Sequence, residues 1–297
     1  MNQDSIKNEN FFRIFLKGLA MGSADVVPGV SGGTIAFITG VYKRLLDSIN
    51  EINIKSFKLL THGNLSGFWK RVDGKFLLTI FGGIAFSIIS LSRLVSWGLT
   101  NYSDIVWSFF FGLILASIPL IFSRISKSAN RTSWIPHSII GILIGSFITL
   151  IPPANYELSL SYVFLSGFLA ICAMILPGIS GSFILILLGS YQGILEGLNS
   201  MNWKIILVFI FGALLGLLSF ARLLKYWFEK APNAMTGLMG GFIIGSLMKI
   251  YPFKSINSFG VEYPRVFSLE DPIFSCIVAS LLGFAIVSLL NRFKNIS

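Results

Sequence analysis

Asp25-Val26-Val27-Pro28-Gly29-Val30-Ser31-Gly32-Gly33-Thr34 interrupts one apolar run of this chain, and Leu176-Pro177-Gly178-Ile179-Ser180-Gly181-Ser182 interrupts another. Proline lacks an N–H and breaks a helix, and lipid cannot hydrogen-bond the backbone groups so freed. A break of this kind at membrane depth must face protein or a wet cavity. Two such breaks at matching positions in two halves of a chain point to the binding site of a transporter.

Composition agrees with a bilayer setting. Of 297 residues 54% are hydrophobic and only 12% charged, and the mean hydropathy is +0.78, more apolar surface than one soluble core can hide. Met1 to Asn10 is polar, with no signal-peptide pattern behind it, so the mature chain is expected to keep its N-terminus. The net charge of +10 fits Lys and Arg gathered in cytoplasmic loops against anionic lipid, and no nucleic-acid partner is expected. Cys172 and Cys276 lie in apolar segments, and His62 and His137 have no companion at ligand spacing. No metal, cofactor or catalytic residue is expected.

Phe12 to Val27 and Gly32 to Leu46 are apolar pieces of about 15 residues, roughly 23 Å each as helix, against a hydrocarbon core of about 30 Å. Each is too short to cross comfortably, so together they predict a re-entrant hairpin turning at Pro28-Gly29. Arg13 and Lys17 before it and Lys43 and Arg44 after it place both ends on the cytoplasmic side. A basic linker with Lys55, Lys58, Lys70, Arg71 and Lys75 follows and reads as a solvated loop. Spans are predicted at Phe76–Trp97, Ile105–Ser123 and Trp134–Ile151, then a second hairpin at Tyr162–Leu195, then spans at Trp203–Tyr226, Ala234–Ile250 and Pro272–Leu290. Both termini fall on the cytoplasmic side. One loop sits uneasily with this topology: Lys249, Lys254 and Arg265 make it basic although it is assigned outside.

Pairing Gly18–Asn50 with Gly167–Asn199 at an offset of 149 gives 11 identities in 33 positions, among them Pro28, Gly29, Ser31, Gly32, Gly40 and Tyr42. An offset of 129 then pairs Gly83 with Gly212, Arg93-Leu94 with Arg222-Leu223, Gly112 with Gly241, and Ser117 with Ser246. The expected architecture is therefore an all-α polytopic membrane protein, one transmembrane domain over 1–297. It holds two inverted repeats, about 12–153 and 161–293, each a re-entrant hairpin plus three transmembrane helices. Three spans per unit turn the second unit over, so the two hairpin tips should meet near the midplane.

Helix starts after Pro28 and Pro177 would aim unpaired N–H groups into that space, and such N-termini bind anions. Ser31, Thr34, Ser180 and Ser182 add hydroxyls, while Gly29, Gly32, Gly33, Gly178 and Gly181 permit close backbone approach. Arg93 and Arg222, late in equivalent spans, read either as phosphate ligands or as anchors snorkelling to the headgroups. Asp25, whose counterpart is Met174, reads as a proton or cation carrier, or else as a helix cap or the ion-pair partner of a nearby Lys or Arg. Gly82-Gly83 and Gly240-Gly241 read as helix-packing faces.

The run Met21–Thr34 with Ile171–Ser182, together with Phe111–Ser117 and Gly245-Ser246-Leu247, resembles the PopT family of bacterial undecaprenyl-phosphate translocases over nearly the whole chain. One departure is Tyr251-Pro252-Phe253, where that family often has Trp-Pro-Trp. The resemblance implies a multi-pass protein of the bacterial cytoplasmic (inner) membrane. Such a protein returns undecaprenyl phosphate from the outer to the inner leaflet for peptidoglycan and other envelope polymers. Two other classes stay open on the residues alone. An undecaprenyl-pyrophosphate phosphatase also uses inverted hairpins and a Pro-Gly-x-Ser motif, but no Glu-x-x-x-Glu pair lies in a span here. A carrier of small soluble anions would need the same half-helices.

Overall fold

The computed structural model describes residues 10–27, 29–125, 133–154, 156–258 and 260–296, with side chains as far as 289. Fourteen helices and one small β-hairpin are described. The first motif lies between α1 (Phe11–Asp25) and α2 (Gly32–Thr39), followed by α3 (Tyr42–Asn50). Two short helices, α4 (Ile54–Thr61) and α5 (Leu65–Arg71), lead into α6 (Gly74–Asn101), α7 (Ser103–Phe122) and α8 (Trp134–Thr149). The second motif lies between α9 (Leu160–Ile175) and α10 (Gly181–Leu187), and α11 (Tyr191–Asn199), α12 (Trp203–Lys230) and α13 (Pro232–Ile250) follow. Strands β1 (Lys254–Ile256) and β2 (Glu262–Pro264) pair antiparallel before the last helix, α14 (Ile273–Ile296).

The fold is that of an all-α, multi-pass membrane protein. Helices α6 and α12 run 28 residues each, about 42 Å, and with the 20-residue α7 they are long and apolar enough to cross a bilayer. α8, α9 and residues 273–289 of α14 are shorter apolar helices. Side chains on the outer faces of α6 and α12 are largely apolar and exposed, among them Leu78, Ile89, Leu207 and Phe211, as a lipid-facing surface requires.

Helix α1 packs on α6, α9 on α12, α7 on α14, and α8 on α13. Under the sequence offsets the first of these pairs corresponds to the second; in the other two, α7 corresponds to α13, and α8 and α14 each follow as the next long helix of their half. Without a hydrophobic drive between helices in lipid, small residues decide where two backbones approach. The α1–α6 crossing closes at Gly18 and Gly83, and the α9–α12 crossing at Gly167 and Gly212. A Cβ on any of the four would fall within about 2.5 Å of a carbonyl oxygen on the facing helix. Gly82, expected to share in this packing, instead faces open space.

Three departures from the sequence reading have plain causes. The second arm of each hairpin is not one helix but two, broken at Gly40 and Gly189. Both take left-handed φ values, +83° and +65°. There Val41 N–H donates to Ala36 C=O and Ser190 N–H to Leu185 C=O, a helix stop that needs glycine. The bend between α10 and α11 reaches 110°. The basic linker folds into α4 and α5, each started by an asparagine cap, Asn53 and Asn64. The uneasy basic loop contains the β-hairpin, fastened by Arg265, which donates to both Asp271 oxygens at 2.6 and 2.7 Å.

Candidate substrate site at the hairpin tips

The two motifs meet. Gly29 and Gly178 take φ of +93° and +90°, and each motif closes a turn, with Val30 N–H donating to Val27 C=O and Ile179 N–H to Leu176 C=O. Pro177-Gly178 thus holds the two central positions of a turn that demands positive φ at the second. Pro28 lies outside the described residues. The tips then bond to one another: Gly178 N–H donates to Thr34 Oγ1 at 2.8 Å, and Ser31 Oγ to Leu176 C=O at 3.3 Å. A Cβ on Gly33 would lie 2.9 Å from the carbonyls of Met174 and Ile175, so glycine is what lets α2 lie against the end of α9. Ser31, Thr34, Pro177 and Ser180 are all buried.

The two helix starts differ. At α2, Ser31 Oγ accepts from Gly33 N–H at 3.1 Å and Asp25 Oδ1 accepts from Gly32 N–H at 2.7 Å, so the chain's own carboxylate occupies the anion position of this N-terminus. At α10 no side chain caps the helix, and Ser180 and Ser182 share a hydrogen bond of 2.9 Å instead. The contact Asp25 makes with Gly32 has its counterpart in Met174 against Gly181, with a methionine where the first half has the acid.

One side of this centre is shut. Tyr42, almost fully buried, donates its hydroxyl to Ile175 C=O at 3.0 Å, and its ring sits 5.4 Å from Phe37 and 5.9 Å from Phe228. Arg124 stacks over Phe37 and donates to Ile38 C=O at 2.7 Å. On the other side, where α6 ends and α7 begins, a cavity of about 320 Å³ runs between α10, Trp107 and the β-hairpin to Lys249. The Lys249 side chain leans on the first tip, where a Cβ at Gly29 would lie 2.9 Å from its Cγ.

The sequence of this arrangement matches the family described as VCA0040-like, undecaprenyl phosphate translocase-like, over residues 21–263. The chain belongs to this family. Two relatives extend the match. A Vibrio cholerae protein named polyprenyl-phosphate transporter is 44% identical over 87% of this chain and 85% of its own length. A Staphylococcus aureus protein of the same name is 34% identical over 82% of this chain and 87% of its own. No solved structure matches.

In this member of the translocase-like family, Arg93 and Arg222 are exposed on α6 and α12 and line no part of the cavity. Lys249 and Glu262, not singled out by motif reading, line the cavity instead, and Lys254 joins them from over the ring of Trp107, another lining residue. Lys249 Nζ and Lys254 Nζ both contact the same oxygen of Glu262, at 3.0 and 3.1 Å. Lys249 lies 4.5 Å over the Phe183 ring and Lys254 3.6 Å over the Trp107 ring. Burial pushes the Lys254 ammonium down to about 8, against the pull of Glu262. Burial works to raise the Glu262 carboxyl, but the two lysines outweigh it and hold it below its ordinary value. The signal was present in the sequence as a loop too basic for the side assigned to it.

Proposed function

We propose that this protein moves undecaprenyl phosphate from the outer to the inner leaflet of the bacterial cytoplasmic membrane by alternating access. Its phosphate is held at the two Pro-Gly-x-Ser-Gly tips while the polyprenyl tail stays in lipid. The observation that carries the reading is the meeting of the two tips, with a cavity on one side and an aromatic seal on the other. This is what a carrier with one gate shut requires. The relatives named polyprenyl-phosphate transporter support the substrate class. The correspondence of the α1–α6 pair with the α9–α12 pair under the sequence offsets supports two inverted repeats, and the distribution of basic loops supports cytoplasmic termini.

The phosphate would contact the residues of both tips: Pro28, Gly29, Ser31, Gly32, Gly33 and Thr34 from the first, and Pro177, Gly178, Ser180, Gly181 and Ser182 from the second. The exposed positions of Arg93 and Arg222 favour membrane anchoring over a place in this site. Asp25 is the proposed coupling residue. Its carboxylate fills the N-terminus of α2, so an arriving phosphate competes with it for the Gly32 N–H. A proton taken by Asp25 resolves that competition. It also offsets one negative charge on a lipid moving inward against about 2.3 kcal/mol per charge per 100 mV.

Proteoliposomes loaded with undecaprenyl phosphate in one leaflet test the reading. Transport should quicken with an inward proton gradient, and Asp25→Asn should remove that dependence. Unchanged rate and pH profile in D25N would reduce Asp25 to a helix cap. Failure of the wild type to move the lipid, or release of phosphate from the pyrophosphate lipid by purified protein, would refute the transport assignment.

A further inference from the structure

The Lys249–Glu262–Lys254 cluster is built more expensively than fastening a loop needs. Arg265 and Asp271 already tie the same segment down with a two-pronged ion pair. Even so, two lysines with side chains only 14% and 10% exposed converge on a single carboxylate oxygen, which leaves one positive charge over at the cavity wall. Asp104 adds only a longer-range attraction to Lys254. Burying charge without a matching partner is costly, so a retained surplus calls for an anion that is not always present.

Placement and shape say which anion. Lys249 lines the cavity with its ammonium over the Phe183 ring while its stem lies against Gly29, so one side chain joins the cavity wall to the first hairpin tip. Leu99, Ile151, Ile186 and Leu187 make the other walls apolar. The volume of about 320 Å³ is in the range of small-ligand sites. Glu262 rides on a hairpin of two three-residue strands that packs against α13, so its carboxylate is presented to the cavity from outside the helix bundle.

We propose that Lys249 and Lys254 form the receiving site for a prenyl phosphomonoester, and that Glu262 is a resident stand-in anion which the phosphate displaces. This rests on the polyprenyl-phosphate reading above and adds a first station before the tips. The phosphate arrives from the cavity side, takes the two ammoniums from Glu262, and lies against Gly29. Its first isoprene unit then rests on the apolar wall.

Binding of farnesyl phosphate, inorganic phosphate and farnesol to the purified full-length protein by calorimetry tests this, with thermal unfolding as the check on folding. Lys249→Gln and Lys254→Gln should each weaken farnesyl phosphate by about tenfold or more, with Lys→Arg restoring most of it. Glu262→Gln should move the other way and tighten it about threefold or more. Inorganic phosphate should follow the same order more weakly, and farnesol should not respond. Binding unchanged in both lysine variants overturns the inference while leaving the transport reading intact. So does an E262Q variant that weakens binding as the lysine variants do, which would make Glu262 a strut. If the Lys→Gln variants do not fold, E262Q decides: tighter binding upholds the inference, and unchanged or weaker binding overturns it. A folded wild type that binds no prenyl phosphate defeats both readings together.

Discussion

Tyr42 and Tyr191 are equivalent under the repeat offset but unequal in the fold, and that inequality can be measured. Tyr42 is 3% exposed and donates to Ile175 C=O, while Tyr191 is 38% exposed with no hydrogen bond of its own among the described residues. Ile175 closes α9, so its carbonyl belongs to the last turn, which has no intrahelical donor. Tyr42→Phe keeps the ring against Phe37 and Phe228 and removes only the hydroxyl. A net hydrogen bond is worth about 0.5–1.5 kcal/mol. The equilibrium between the sealed side and its opened form should therefore shift by roughly two- to twelvefold toward the open form. Hydrogen–deuterium exchange reads this directly, since exchange limited by local opening rises by the same factor. Peptides covering residues 40–50 should exchange that much faster in Y42F, and those covering 189–199 should not change in Y191F. Equal effects in the two variants, or none in Y42F, would refute the claim that this bond holds one gate shut.

Other outcomes follow from the same geometry. Gly178→Ala puts a side chain at φ +90° with its Cβ 2.7 Å from the Ile243 nitrogen, and should lower the melting temperature sharply or abolish expression. Gly82→Ala, facing open space within α6, should be neutral or gain about 0.5–1 kcal/mol, read by the same thermal melts. Arg93→Gln and Arg222→Gln should leave proteoliposome transport within about twofold of wild type, as anchors would. The lysine cluster supplies a pH signature. With the folded Lys254 value depressed to about 8 from 10.5, the unfolded chain holds more protons between those limits, so stability rises with pH across that window. Thermal melts should show this rise in the wild type and not in Lys254→Met. Farnesyl phosphate affinity should fall over the same range, as Lys254 loses the charge that faces Glu262, Lys249 and Asp104. Flat stability and flat affinity would contradict that assignment.

The membrane class, its long apolar helices and the two Pro-Gly breaks were legible from residue order, because lipid forces apolar length and punishes unpaired backbone. The helix-stopping glycines were visible too, since Gly40 and Gly189 fall on one another in the repeat, but an apolar run conceals a bend when no polar residue marks it. Tertiary structure alone decided which groups meet across the fold. Thr34 against Gly178, Ser31 against Leu176 and Tyr42 against Ile175 join residues more than 130 positions apart, and no local pattern encodes such pairings. It also decided that Asp25 caps α2 and that the arginine pair points outward, because a charged side chain late in a helix reads the same whether its face meets lipid headgroups or a cavity. Lys249 and Lys254 were noticed only as charges on an unexpected side. Their joint hold on one oxygen of Glu262 depends on a β-hairpin folding back over the helix ends, and a three-residue strand is too short for side-chain alternation to announce it.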